Sequence, residues 1–264
     1  MSEPRTSPER PAEGTAALRP IVVIPARLAA TRLPGKPLAE IAGRPMIAHV
    51  LERALAAQIG PVVVASPDPE IMAAVEAAGG RAVLTRPDHP SGSDRVLEAV
   101  ETLDPEGAHD VVVNLQGDLP TIGAPTIAAV LKPLAEPQVD IATLVARIAD
   151  PAERDDPNVV KAAIDFTGPD QAQRRTARAL YFSRQAVPGG EGPLYHHIGI
   201  YAFRRAALAR FVALPPSGLE RRERLEQLRA LEAGMRIDAA LVDAVPQGVD
   251  TQADLAKVRA ILGG

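Results

Sequence analysis

From Ile21 onward the chain alternates two hydrophobic patterns. Short runs such as Ile21-Val22-Val23-Ile24, Val62-Val63-Val64, residues 82–84 and Val111-Val112-Val113 carry no polar position. Strands that read apolar throughout are buried on both faces. Between the first two runs, Met46, Ile47, Val50, Leu51, Ala54 and Leu55 recur at the three- and four-residue spacing of one helix face. Residues 68–78, and a segment opening near Ser93, read as further helices. Strands alternating with crossover helices predict an α/β fold built on a doubly wound, mainly parallel sheet. After Pro125 a helix is expected toward Glu136. The pattern then shifts to strands at 140–148, 159–164, 179–182 and 198–203, with a turn at Gly168-Pro169-Asp170 and a loop across residues 188–193. Helices at 204–212 and 219–233, a strand at 237–242 and a last helix from Thr251 complete the expectation.

Composition changes this picture little. At 264 residues, a single domain can bury enough surface to fold without disulfides or structural metal. Residues 1–19 hold three prolines and almost no large apolar side chain, so they read as a disordered tail preceding one domain over 20–264. A net charge of -4 excludes a basic nucleic-acid coat, and the absence of cysteine excludes thiol nucleophiles and thiolate metal sites. No apolar run reaches the ~20 residues of a membrane span. The first residues lack the apolar stretch of a signal peptide, so a cytoplasmic protein is expected.

In an open parallel sheet, ligands bind beyond the carboxyl ends of the strands. The loop after the first strand places Arg27, Arg32 and Lys36 around Gly35, with Pro34 and Pro37 stiffening the backbone. Fixed cations beside close-approaching backbone N–H groups suit a polyphosphate. The loop is neither a Walker P-loop nor GxGxxG, which argues against a dinucleotide-dependent oxidoreductase. The segment from Thr85 through Arg95 includes His89, which alone reads as a loop histidine, and Ser91 and Ser93, either of which suits a helix N-cap or a ligand contact. Gln116-Gly117-Asp118 puts a carboxylate at the end of a buried strand, where carboxylates hold Mg²⁺ against substrate phosphates. Asp250 stands between a strand and a helix, and the competing reading there is a cap by Asp250 or Thr251 with Asp254 at the helix dipole.

Ile24-Pro25-Ala26-Arg27, Thr31-Arg-Leu-Pro-Gly-Lys-Pro-Leu38, Gln116-Gly117-Asp118, His197-Ile-Gly-Ile-Tyr201, Leu225-Glu-Gln-Leu-Arg229 and Gly248-Val-Asp-Thr251 together resemble the 3-deoxy-manno-octulosonate cytidylyltransferases (CMP-Kdo synthetases). The resemblance runs from about Ile21 to Ile261. It implies the nucleotide-sugar transferase fold and transfer of CMP from CTP to the anomeric 2-hydroxyl of 3-deoxy-manno-octulosonate (Kdo), for lipopolysaccharide synthesis. It places Arg27, Arg32 and Lys36 on the triphosphate, Arg86, Ser91 and Gly92 in the nucleotide pocket, and Asp118 and Asp250 on Mg²⁺. Arg27, Lys36, Asp118 and Asp250 are then the catalytic set. Gln116, His197, Tyr201, Glu226 and Gln227 fall on the sugar, although Arg222 and Glu226 also fit an ordinary i,i+4 helix pair. A smaller strand-rich region, about 150–203, is implied to form a homodimer. Two departures stand out: many relatives carry an acidic residue where this chain has Leu119, and a tryptophan where it has Gly189. The readings left open are a cytidylyltransferase for another acidic sugar, such as 8-amino-Kdo or a sialic acid, and a catalytically silent binding scaffold.

Overall fold

The computed structural model describes residues 17–29 and 33–263. Most of the expected disordered tail and Arg32 therefore lie outside the described residues. The chain opens with β1 (Pro20–Pro25), a small hairpin of β2 (Glu40–Ile41) and β3 (Arg44–Pro45), and α1 (Met46–Ala56). Then follow β4 (Val62–Ser66), α2 (Pro69–Ala77), β5 (Ala82–Leu84), α3 (Gly92–Leu103) and β6 (Val111–Asn114). These strands pair in parallel, Val22 opposite Val62 and Val112 opposite Ile21. Alternation along β1 explains why its run is wholly apolar. Val22 and Ile24 pack with Ile47, Val50 and Leu51 of α1 and with Ile71 and Val75 of α2. Ile21 and Val23 point the other way, to Val96, Ala99 and Val100 of α3.

The second half continues with α4 (Ala124–Ala129), β7 (Ile141–Arg147), α5 (Ala152–Asp155), β8 (Lys161–Ile164), α6 (Pro169–Arg174), β9 (Thr176–Ser183) and β10 (Tyr195–Arg204). It ends with α7 (Arg205–Ala213), α8 (Gly218–Glu223), α9 (Leu228–Glu232), β11 (Ile237–Val242) and α10 (Gln252–Leu262). One sheet runs β5-β4-β1-β6-β10-β7-β11-β9-β8, and β8 also pairs with the start of β10, so its last five strands return on themselves. The sheet is parallel through β5, β4, β1 and β6 but mixed beyond: β10 runs antiparallel to both β6 and β7, while β11 is parallel to β7. Expecting a mainly parallel sheet therefore holds for the half formed by β5, β4, β1 and β6. The carboxyl ends of β1, β6 and β11 share one edge as a result.

Three local expectations change. The helix expected from Pro125 to Glu136 stops at Ala129 and resumes as a 3-10 turn over Lys132–Ala135, because Pro133 has no N–H to donate and its ring crowds the preceding turn. The turn expected at Gly168-Pro169-Asp170 is the entry to α6, with Pro169 in the first helical position, where a missing N–H is harmless. The single helix expected over 219–233 is two, separated at Arg224, whose left-handed φ of 57° ends α8.

Candidate active site

Loops after β1, β6 and β11 meet at that shared edge. The first is pinned at its start, where Leu28 N donates to Asp68 Oδ2 at 2.7 Å, and at its end, where Gly35 N donates to Leu28 O at 3.1 Å. Gly35 has φ +71°, which glycine adopts without strain. The turn leaves Lys36 aimed across the sheet edge. Its ammonium donates to Asp118 Oδ2 at 2.8 Å, to Val249 O at 2.8 Å and to Asp250 Oδ1 at 3.3 Å. Gly117 matters for a different reason: a Cβ there would lie 3.0 Å from Pro25 O, tighter than an ordinary contact, so a side chain would need that backbone to yield by a few tenths of an ångström. Val249 N donates to Asp118 O at 3.0 Å and joins the third loop to the second. Thr251, with Asp254, forms the capping box of α10. The cap expected from Asp250 or Thr251 is thus supplied by Thr251, and the Asp250 carboxylate faces Lys36.

These loops wall a cleft of about 340 Å³ whose lining includes Arg27, Lys36, Ser91, Gly92, Gln116, Asp118 and Asp250. Seven of the sequence-predicted residues come together there. Ser91 also caps α3, accepting from Ser93 N at 3.1 Å and donating to Asp94 Oδ2 at 2.6 Å. Arg86 is placed elsewhere: it is exposed, 3.7 Å from Asp88, beside a separate depression lined by His89 and Glu98. Arg95, which sequence reasoning missed, also lines the cleft. It is buried, bonds Thr85 Oγ1 and donates to Arg86 O at 3.0 Å. Burial, then repulsion from Arg27, pulls its guanidinium below the usual value. Its only sequence signal was its place one helical turn after Ser91. Leu119 is half-buried against the core, and a Cβ on Gly248 would meet its Cδ2 at 3.3 Å, so the departure from an acidic residue supplies packing under the Asp118 loop. Gly189, the other departure, stands in the 188–193 loop with nothing within 4 Å of where a Cβ would be.

The predicted sugar residues divide. Gln116 reaches the main cleft, where its Nε2 donates to Asn114 Oδ1 at 3.1 Å. Tyr201, Glu226 and Gln227 gather around a second, small cavity of about 10 Å³ with Ser93 and Phe211. Glu226 is not paired with Arg222 along a helix, because the chain breaks at Arg224; its Oε2 accepts instead from Ser93 Oγ at 3.0 Å. His197 is interior, 3.0 Å from Thr143 Oγ1 and edge-on to Phe182. Burial, reinforced by the neighbouring His196, pushes its imidazole down to about 3. The Tyr201 ring lies 5.5 Å from that of His197, tilted by 50°, and burial together with the charge of Glu226 raises its phenol.

Comparison with known proteins places this arrangement. The cytidylyltransferase family model matches residues 21–237. Proteins named 3-deoxy-manno-octulosonate cytidylyltransferase from Rhodospirillum centenum and Methylorubrum populi are 66% and 65% identical, covering 94% and 92% of this chain and 95% and 96% of their own lengths. The chain belongs to the 3-deoxy-manno-octulosonate cytidylyltransferase family. A solved CMP:2-keto-3-deoxy-manno-octonic acid synthetase complexed with CTP superposes with a TM-score of 0.84 at 41% identity, covering 93% of this chain and 98% of that one. The cytidylyltransferase family match ends at residue 237, before Asp250. Asp118 and Asp250, two carboxylates converging on one ammonium, are hard-oxygen donors of the kind that would suit Mg²⁺. Among the described residues no cluster of three His, Asp or Glu side chains could hold a metal by itself. Asp118 and Asp250 therefore fit Mg²⁺ only as a site shared with a polyphosphate.

Proposed function

We propose that this chain joins CMP from CTP to the anomeric 2-hydroxyl of Kdo, releasing pyrophosphate, with Mg²⁺ as cofactor. The observation that carries the reading is the meeting of Asp118, Asp250 and Lys36 at the mouth of a cleft also lined by Arg27. The bond formed is from the sugar oxygen to the α-phosphorus, and the bond broken is from that phosphorus to the bridging oxygen of pyrophosphate. The hydroxyl proton leaves to solvent. Lys36 and Arg27 hold the β- and γ-phosphates and neutralise charge on the departing pyrophosphate, while Ser91 and Gly92 present the first turn of α3 to the nucleotide. Asp118 and Asp250 would hold Mg²⁺, which supplies Lewis-acid stabilisation of the phosphoryl oxygens and a more acidic attacking hydroxyl. No covalent enzyme intermediate is required.

Gln116, Tyr201, Glu226 and Gln227 recognise the polyhydroxylated sugar acid, and the product feeds lipopolysaccharide assembly in the cytoplasm. Among the described residues no helix is long and apolar enough to cross a membrane. A homodimer formed through the region 150–203 is supported by Leu180, a large apolar side chain that is 67% exposed on β9. A coupled pyrophosphate-release assay across CTP, UTP and ATP, with Kdo, 8-amino-Kdo and a sialic acid, tests the assignment. CTP with Kdo should give the highest kcat/KM; a tenfold preference for another sugar would reassign the substrate. Full turnover in excess chelator would refute the metal.

A further inference from the structure

Glu226 has two carboxylate oxygens in unlike surroundings. Oε2 accepts from Ser93 Oγ at 3.0 Å, a contact across 133 residues of sequence. Oε1 is buried with no hydrogen-bond partner among the described residues. The nearest cation does not supply one. Arg229 Nη2 is 4.0 Å from Oε1, and its guanidinium is already committed to Glu220, with Nε and Nη2 donating at 2.8 and 2.6 Å, and to Leu214 O. A buried carboxylate oxygen left unpaired is costly unless something donates to it. Oε1 belongs to the side chain that, with Tyr201 and Gln227, lines the small cavity beside Ser93.

Ser93 is itself fixed. It is 3% exposed and sits in the first turn of α3, directly after Ser91 and Gly92, which line the nucleotide cleft. Its hydroxyl therefore links the helix end on the nucleotide side to the carboxylate on the sugar side. We infer that Ser93 is a positioning residue: by donating to Oε2, it fixes the orientation of the Glu226 side chain, which is 34% exposed, for its contact with the sugar. This inference rests on Glu226 contacting the sugar, as argued above.

Because Ser93 acts only through Glu226, its removal should raise the KM for Kdo by about tenfold and leave the KM for CTP within about twofold, although Ser93 lies closer in sequence to the nucleotide wall. Ser93→Thr keeps the hydroxyl and should recover most of the affinity. Ser93→Cys keeps the volume with a poor donor and should resemble Ser93→Ala, which controls for packing if the alanine variant folds poorly. The deciding measurement is a double-mutant cycle with Glu226→Gln, read as KM for each substrate with melting temperature recorded for every variant. The expected result is that Ser93→Ala adds little once Glu226→Gln is present. Independent, additive losses, or an alanine variant that binds Kdo normally while Glu226→Gln does not, would overturn the role given to Ser93 alone. An unchanged KM for Kdo in Glu226→Gln would instead overturn the sugar contact on which it rests.

Discussion

Replacing Lys36 by arginine keeps the charge and removes the geometry. Three acceptors, Asp118 Oδ2, Val249 O and Asp250 Oδ1, converge on one nitrogen within 3.3 Å, matching the three donors of an ammonium. A guanidinium spreads its donors over a plane and is longer, so it cannot place three of them at that point. The contacts are not of equal worth. The Lys36 side chain is 15% exposed and Asp118 32%, whereas Asp250 is 50% exposed and its attraction is screened toward the ~0–1 kcal/mol of surface pairs. The Asp118 contact dominates, at about 2 kcal/mol for a charge-assisted hydrogen bond. If that alignment is what receives the triphosphate, Lys36→Arg should lower kcat/KM for CTP by between about tenfold and thirtyfold. Lys36→Ala should fall at least as far, while the KM for Kdo changes less. Steady-state kinetics with each substrate varied in turn gives both numbers, and thermal melting checks that the fold survives. Wild-type kinetics in Lys36→Arg would show that any cation on this loop suffices.

Three further outcomes separate chemistry from scaffold. Asp118→Asn and Asp250→Asn should each lower kcat by about a hundredfold, ~3 kcal/mol of transition-state stabilisation, while both variants stay folded by thermal melting; a normal rate in either removes that carboxylate from the reaction. Thr251→Ala should show the reverse pattern, losing about 1 kcal/mol of stability from the α10 cap with kcat within about threefold, as read by urea denaturation and initial rates. Asp104 is 6% exposed; burial alone would raise its carboxyl, but N–H donors from His109 and Ala108 and the Arg205 guanidinium outweigh it and hold it well below its ordinary 3.8. A depressed folded value stabilises above the unfolded one and is lost on acidification, so Asp104→Asn should cost stability at pH 7 and progressively less below about pH 4. A constant difference in urea midpoint down to pH 2 would contradict that.

How much of this was legible depended on the range of the interaction. The β-branched runs of β1, β4 and β6 reveal a buried strand locally, and the residues just past them, Arg27, Lys36 and Asp118, follow from the general placement of ligands at strand ends. Asp250 was legible as a strand-to-helix residue, but its rivalry with Thr251 for the cap is settled only by which side chain accepts from Asp254 N. The insertion of β10 between β6 and β7 has no local signature, since register between strands whose partners, such as Tyr195 with Arg147 and Arg204 with Val111, are far apart in sequence is fixed by the whole sheet. Arg224 carries no glycine to announce its left-handed turn, so one continuous helix was the natural reading of 219–233. That error hid the Ser93 contact, because a helical Glu226 had a ready partner in Arg222.

The hairpin of β2 and β3 went unread, yet it bears on why the site holds its shape. Ala42 and Gly43 both take positive φ, 48° and 76°, the turn that suits a two-residue hairpin, though only the glycine signals it. Ile41 and Met46, at its two sides, are fully buried against Val249, Leu255 and Val258, with Leu33 packed alongside. These residues form a third, small core, separate from the two that cover the sheet. It grips the loop after β1 through Leu33 and the Asp250 loop through Val249. Arg259 of α10 adds a donor to Glu40 O at 2.8 Å. Lys36, Asp118 and Asp250 come from positions as far as 214 residues apart, and sheet edges alone would leave their loops to move independently. A shared apolar anchor beneath two of the three loops, and a backbone bond from Val249 to Asp118 for the third, fixes the ammonium and the carboxylates relative to one another before substrate arrives. Preorganisation of that kind lets charges act on a developing pyrophosphate without reorganising during the step.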